Sequence, residues 1–250
     1  MSLRDKLSEL DKIIQDTDSL VFFGGAGVST ESGIPDFRGE AGQYKAQSVY
    51  GHSPEYLISH TAFVRDTKLF YRYYRENLVY CDAKPNKAHL ALAKLERKGR
   101  LQAIITQNID GLHQQAGSKN VIELHGSIHR NHCLDCGKSF SLEHIMLADD
   151  LPRCDVCGGI VKPDVVLYEE PLDKMALDAA TKAVMQANTM IVGGTSLVVY
   201  PAAGYVDAFR MSSGTQKKLV IINKDETDKD LLADLVIHDS IGKVLGRYLG

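Results

Sequence analysis

No apolar run in the 250 residues approaches the ~20 needed to span a bilayer, and the opening Met1-Ser2-Leu3-Arg4-Asp5-Lys6 lacks the apolar core of a secretory leader. The cytoplasm is the expected compartment, with no membrane partner. An excess of charge of one sign is also missing: 29 Lys and Arg stand against 32 Asp and Glu, for a formal net charge of -3 and a pI near 6.3. No global basic field invites nucleic acid. Cysteine is scarce. Four of the five are spaced as metal ligands, which suits a reducing compartment and leaves Cys81 as a free thiol near a helix end. Internal repeats and low-complexity tracts are absent. With 44% hydrophobic residues the chain can bury a full-sized core, and its length suits one large domain with an insertion better than two equal domains.

Cys133, Cys136, Cys154 and Cys157 form C-x2-C-x17-C-x2-C. Two short knuckles at this spacing offer four thiolates to one tetrahedral zinc ion. Four thiolates complete the tetrahedron, so the neighbouring His132 is not needed as a ligand. A catalytic zinc would require an open position, and the expected role is structural.

Residues 3–16 place Leu3, Leu7, Leu10, Ile13 and Ile14 at helical spacing. Apolar runs follow at Ser19 to Phe23, Leu101 to Gln107, Thr189 to Val192 and Lys218 to Ile222, separated by helical stretches. This alternation predicts an α/β fold, a doubly wound parallel sheet of the Rossmann-like kind with helices on both faces. Two segments interrupt it: an aromatic-rich stretch with helical periodicity around Lys68 to Val79, and the cysteine segment. The expected division is a dinucleotide-binding domain from 1–42, 83–130 and 163–250. Residues 43–82 and 131–162 then build a small domain from a helical insertion and a zinc ribbon. Ser212 to Lys218 reads as a connecting turn.

Gly25-Ala26-Gly27-Val28-Ser29-Thr30 carries the first two glycines of a G-x-G-x-x-G loop, where backbone N–H groups approach a pyrophosphate. Thr30 replaces the third glycine and no acidic residue follows on a clear second strand, so the ordinary dehydrogenase fingerprint is incomplete, and a plain strand-to-helix turn also accounts for the loop. The continuation Glu31-Ser32-Gly33-Ile34-Pro35-Asp36-Phe37-Arg38 sets a carboxylate, an aromatic face and a guanidinium where the sugar and base of a cofactor would lie.

Here the sequence resembles the sirtuins, the NAD-dependent protein lysine deacylases, whose hallmark is GAG-x-S-x-x-SGIPDFR. The resemblance continues through Thr106-Gln107-Asn108-Ile109-Asp110-Gly111-Leu112-His113, Glu123-Leu124-His125-Gly126-Ser127, the cysteine quartet, Lys162-Pro163-Asp164-Val165-Val166, Gly194-Thr195-Ser196-Leu197 and Ile222-Asn223. It covers about residues 20 to 241. It implies a fold with the active site in the cleft between the two domains, NAD as co-substrate, one structural zinc, and acyl-lysine proteins or peptides as partners; a monomer is the working expectation, on which no motif bears. The products it implies are free lysine, nicotinamide and O-acyl-ADP-ribose.

Breaking the bond between nicotinamide and ribose develops oxocarbenium character, which calls for polar groups that hold the leaving amide and exclude water. By the resemblance, Asp110 binds the carboxamide, Asn108 orients water and ribose, and His125 is the general base toward a ribose hydroxyl. An imidazole suits that task because its ordinary pKa of about 6.5 lies near working pH. The other expected NAD contacts are Gly25, Ala26, Gly27, Ser29, Thr30, Asp36, Phe37, Arg38, Gln107, Ile109, Gly194, Thr195, Ser196 and Asn223, with Ser240 and Ile241 beside adenine. His113 and His129 have no assigned chemistry.

Val165-Val166-Leu167-Tyr168 resembles the segment that pairs with a substrate peptide, with Leu197 and Val198 opposite; its alternation also fits a plain edge strand. Sirtuins commonly have Phe-Gly-Glu where this chain has Tyr168-Glu169-Glu170, which alters the expected cleft. Members preferring succinyl or malonyl lysine carry Tyr-x-x-Arg in the insertion. Here Tyr71 is followed three places on by Tyr74, and Arg75 stands about 100° further round a helix, so neutral acyl groups are expected. Mono-ADP-ribosyl transfer and a non-catalytic NAD-sensing module are the competing readings, and formation of O-acetyl-ADP-ribose separates all three.

Overall fold

A computed structural model describes residues 1–36, 46–212 and 217–249; Phe37, Arg38 and most of the turn expected at Ser212 to Lys218 lie outside the described residues. Nine strands are found among the described residues: β1 Leu20–Gly24, β2 Leu101–Thr106, β3 Val121–Glu123, β4 Gly126–Cys133, β5 Ser139–Phe140, β6 Val161–Val165, β7 Thr189–Gly193, β8 Lys218–Asn223 and β9 Leu235–His238. Six form a parallel sheet in the order β3-β2-β1-β7-β8-β9.

Alternate residues of each central strand serve opposite cores. Leu20 and Phe22 of β1, with Val220 and Ile222 of β8, join Leu10, Ile14, Leu92 and Leu245 from the helices Leu3–Asp16, Lys87–Arg97 and Ile241–Leu245. Val21 and Phe23, with Leu219 and Ile221, join Val184 and Phe209 from the helices Lys174–Gln186 and Gly204–Met211. A strand covered on both faces has no polar side to show, which is why these segments read as unbroken apolar runs.

The remaining strands form an antiparallel sheet in the order β5-β4-β6. Phe63, Phe70, Tyr71 and Tyr74 from the helices His60–Arg65 and Thr67–Asn77 pack on Ile128, Val161 and Val165 of that sheet. The two sequence insertions therefore share one apolar cluster. Strand β4 crosses the 130/131 division and β6 crosses 162/163, because the antiparallel ladder between them needs residues from both sides of the knuckles.

Candidate functional site

The sheet order reverses between β1 and β7, and in an open parallel sheet that switch point leaves a crevice at the carboxyl ends of the strands. Gly24 pairs with Gly193 at those ends. The next loops touch backbone to backbone: Gly27 N–H donates to the Gly194 carbonyl at 2.8 Å. A Cβ on Gly27 would sit 2.7 Å from Gly194 Cα, so no larger residue fits without parting the loops. Thr30 Oγ1 closes the turn by donating to Gly27 O at 3.0 Å.

A polar cluster lies below this loop. Fully buried Ser29 donates to Asp110 Oδ2 at 2.6 Å and accepts from Asn108 Nδ2 at 3.0 Å. Asp110 Oδ1 accepts from Leu112 N at 2.9 Å, and Asn108 N donates to Thr106 Oγ1 at 3.0 Å. Thr106 thus closes β2 through its hydroxyl, Asp110 makes an Asx turn four residues on, and the N-x-D pair forms a bonded triad with Ser29.

His125 follows Leu124 after β3. Its Nδ1 lies 2.9 Å from the carbonyl oxygen of Gln107. A carbonyl only accepts, so Nδ1 carries the proton and Nε2 of the neutral ring is the nitrogen able to take another. Across the crevice, Thr195 Oγ1 donates to Gln107 Oε1 at 2.8 Å, and Asn223 exchanges two bonds with the Thr195 backbone, at 2.8 and 3.1 Å. Glu31 Oε1 accepts from Gly242 N at 2.8 Å, tying the glycine-loop segment to the turn bearing Ser240 and Ile241.

These groups face one cleft of about 1040 Å³. Its walls include Ala26, Gly27, Ser29, Thr30, Asp36, Gln107, Asn108, Ile109, Asp110, His125, Gly194, Thr195, Ser196, Asn223, Ser240 and Ile241, and also Val165, Val166, Leu167, Tyr168 and Val198. Gly25 stands behind them, where a Cβ would meet Gln107 Oε1 at 2.7 Å. Leu197, at φ 57°, turns its side chain into the core cluster under the sheet and does not line the cleft. Tyr73, Asn77 and Tyr80 also line it. Sequence reasoning missed these three; the only signal was the density of tyrosines from Tyr71 to Tyr80, on the helix Thr67–Asn77 and just past its end.

The segment after β6 is tied on its inner side. Val166 N donates to His125 O at 3.0 Å, Tyr168 N to Ile58 O at 3.0 Å, and Leu167 N to Glu170 Oε2 at 3.0 Å. Glu169 takes a left-handed backbone conformation at φ 76°, the one a glycine would favour there, and its carboxylate accepts from Thr61 N and Oγ1 at 2.9 and 2.7 Å. The extra side chain is thereby held on the first turn of the helix His60–Arg65. Arg75 donates to the carbonyls of Ile145 and Asp150, each at 2.9 Å, so its guanidinium serves the small lobe and not the cleft. Tyr71 and Tyr74 are buried in the same lobe.

The four cysteine sulfurs lie within 4.8 Å of one another, with Cys133 to Cys157 at 3.4 Å and Cys136 to Cys154 at 3.6 Å. Zn–S bonds of ~2.3 Å in a tetrahedron imply S···S edges of ~3.8 Å, so the set fits one zinc ion. Both knuckles close alike: Gly137 N donates to Cys133 O at 3.0 Å and Gly158 N to Cys154 O at 2.9 Å. The two glycines have φ of 72° and 74°, a conformation that costs other residues strain. Every candidate ligand is a cysteine sulfur, leaving no open position for a catalytic metal, and the quartet lies outside the cleft.

Among known proteins, an NAD-dependent protein deacetylase of Clostridium acetobutylicum is 59% identical over 98% of both chains, and one of Clostridium perfringens is 54% identical over 98% of this chain and 99% of that one. A solved Sir2 homolog–NAD complex superposes with a TM-score of 0.87 at 40% identity, covering 97% of this chain and 92% of that one. A Sir2 bound to acetylated peptide superposes at 0.85 with 38% identity, covering 97% of each. The family model described as Sir2 family matches residues 25–201. Through this match, and through relatives aligned along nearly its whole length, the chain belongs to the Sir2 family.

Proposed function

We infer that the chain is an NAD-dependent protein lysine deacetylase acting in the cleft between the parallel sheet and the zinc-bearing lobe. The carrying observation is the placement of His125, whose Nδ1 is committed to Gln107 O while Nε2 is its proton-accepting nitrogen, in the cleft that also holds Ser29, Asn108 and Asp110. In the net reaction the N-acyl bond of lysine and the nicotinamide–ribose bond break, water is consumed, and the acyl group ends on a ribose oxygen. Asp110 holds the carboxamide of the leaving nicotinamide, Ser29 fixes that carboxylate, and Asn108 orients the ribose. His125 takes the ribose hydroxyl proton after the acyl oxygen has attacked the anomeric carbon. The zinc holds the small lobe together and takes no part in bond breaking.

The peptide lies between the Val165–Tyr168 segment and Val198. Neutral acyl groups suit the site, since Arg75 is occupied in the lobe and no guanidinium is known to stand ready for an acyl carboxylate among the described lining residues. Cysteine usage supports a cytoplasmic location, since four of the five are spaced and gathered as zinc ligands, which suits a reducing compartment. No helix among the described residues is long and apolar enough to cross a membrane.

Mass spectrometry after mixing the protein with NAD and an acetyl-lysine peptide tests the reading. Free lysine peptide, nicotinamide and O-acetyl-ADP-ribose are expected; ADP-ribosylated peptide, or NAD binding without turnover, would overturn it. Asp110→Asn tests the nicotinamide assignment. Losing a charged acceptor is expected to weaken nicotinamide inhibition and NAD use by roughly 10- to 100-fold, from the ~1.5–3 kcal/mol of a hydrogen bond to a charged group. The melting temperature should stay near wild type, and unchanged nicotinamide inhibition would remove Asp110 from the role.

A further inference from the structure

Directly behind the Asn108–Asp110 turn lie two imidazoles that the reaction does not use. His113, on the short helix Leu112–Gln115, is 1% exposed, and His89, on the helix Lys87–Arg97, is fully buried. Their ring centroids are 4.7 Å apart, and Phe22 of β1 flanks His113 at 6.2 Å. Asn86 N donates to His89 Nδ1 at 3.2 Å, which puts the proton of the neutral ring on Nε2. Among the described residues, that Nε2 and both nitrogens of His113 have no hydrogen-bond partner. Burial holds His113 well below the usual histidine range and brings His89 down to about 4 despite the opposing pull of Asp110. Both rings are therefore neutral at working pH.

A packed core has no use for such groups, because an unsatisfied buried nitrogen costs stability that an aliphatic side chain of similar size would not. Their place explains their presence. Asn86, which His89 caps, donates through Nδ2 to Val28 O at 2.7 Å and Ser32 Oγ at 3.0 Å, on either side of Ser29. Ser29 in turn bonds Asp110, three residues before His113. Contacts run from His113 through His89 and Asn86 to Val28 and from Ser29 to Asp110, and the chain itself joins Val28 to Ser29 and Asp110 to His113.

We propose that His113, seated on His89, is a positioning residue that sets the aim of the Asp110 carboxylate at the nicotinamide subsite. The orientable dipole of a neutral imidazole in a buried, low-dielectric setting does what an aliphatic filler cannot. The proposal rests on the assignment of Asp110 to nicotinamide.

The test compares His113→Leu, His113→Gln and Asp110→Asn in the full-length, zinc-loaded protein, by melting temperature, NAD KM, kcat and nicotinamide inhibition. His113→Leu is expected to melt at or above wild type. Its NAD KM and nicotinamide inhibition constant should both rise ~10-fold or more, as misplacement by a fraction of an ångström does, with kcat at saturation falling less. Gln, which retains a polar head, should recover part of that loss. Should His113→Leu fail to fold, His113→Met is read by the same criteria. Wild-type KM and inhibition in the aliphatic variant would overturn the proposal, as would a melting temperature and kcat that fall together with no recovery in Gln. If Asp110→Asn weakens nicotinamide inhibition and His113→Leu does not, the proposal alone fails; if Asp110→Asn is silent, the assignment beneath it fails.

Discussion

Replacing His125 with Ala is expected to cut O-acetyl-ADP-ribose formation by roughly 10²–10⁴-fold, the usual range for removing a general base. The loss should be selective. Nicotinamide exchange needs only the step before proton abstraction, so labelled nicotinamide should still enter NAD at a rate reduced less than deacetylation. Binding of peptide and NAD should persist, because the Ser29–Asn108–Asp110 triad and the Gln107–Thr195–Asn223 network do not pass through the imidazole side chain. The backbone contribution of residue 125 also survives, since the Val166 N–H bond goes to its carbonyl. Equal loss of exchange and deacetylation would move His125 to cofactor positioning. Near-normal deacetylation would reject the base altogether and turn attention to Asp110, since His113 is buried away from the cleft.

Cys154→Ser should abolish stoichiometric zinc and unfold the small lobe while the parallel sheet, with its two separate cores, persists. Metal-binding free energy in thiolate knuckles is largely folding free energy, ~10–16 kcal/mol in zinc-finger peptides, so no local repacking replaces it. Buried Cys133 and Cys154 pack in the cluster that carries Phe70, Tyr71, Tyr74 and Val165, which transmits the loss to the start of the proposed peptide wall. Metal analysis, melting and peptide KM read the effect; a zinc-free variant with full activity would remove the structural role. Treating the wild type with a strong chelator should reproduce the phenotype without any substitution.

Much of this was legible along the chain because it is local chemistry. Two C-x2-C-G knuckles carry their own turn geometry, with the glycine at positive φ next to the second ligand. The strands β1, β2, β7 and β8 showed themselves as apolar runs because burial on both faces leaves no polar alternation to blur them. Strands β3 and β9 at the sheet edges did not. One is three residues long with none fully buried and the other four with two buried, too little for a pattern to emerge. Much of the cleft was readable from motifs, since Asn108, Asp110, His125, Thr195 and Asn223 each end or follow a strand, whereas Tyr73, Asn77 and Tyr80 carried no motif and Leu197 turned away from it.

What local pattern cannot hold is distance between remote segments. That Ser29 bonds Asp110 across 81 residues, and that Glu31 grips Gly242 across 211, depends on β1 lying between β2 and β7, a consequence of crossovers that no window of sequence contains. Likewise Arg75 stood near an acyl-recognition register, and only the packing of the insertion on the zinc lobe turned it toward the carbonyls of Ile145 and Asp150. His89 and His113 read as two ordinary histidines until the fold closed them against each other. Residue types and the apolar runs of the four central strands were legible in the sequence, because they answer to neighbours a few bonds away. Which donor met which acceptor, and which rings were buried behind the site, was decided by tertiary packing, because dielectric and proximity are properties of the assembled fold.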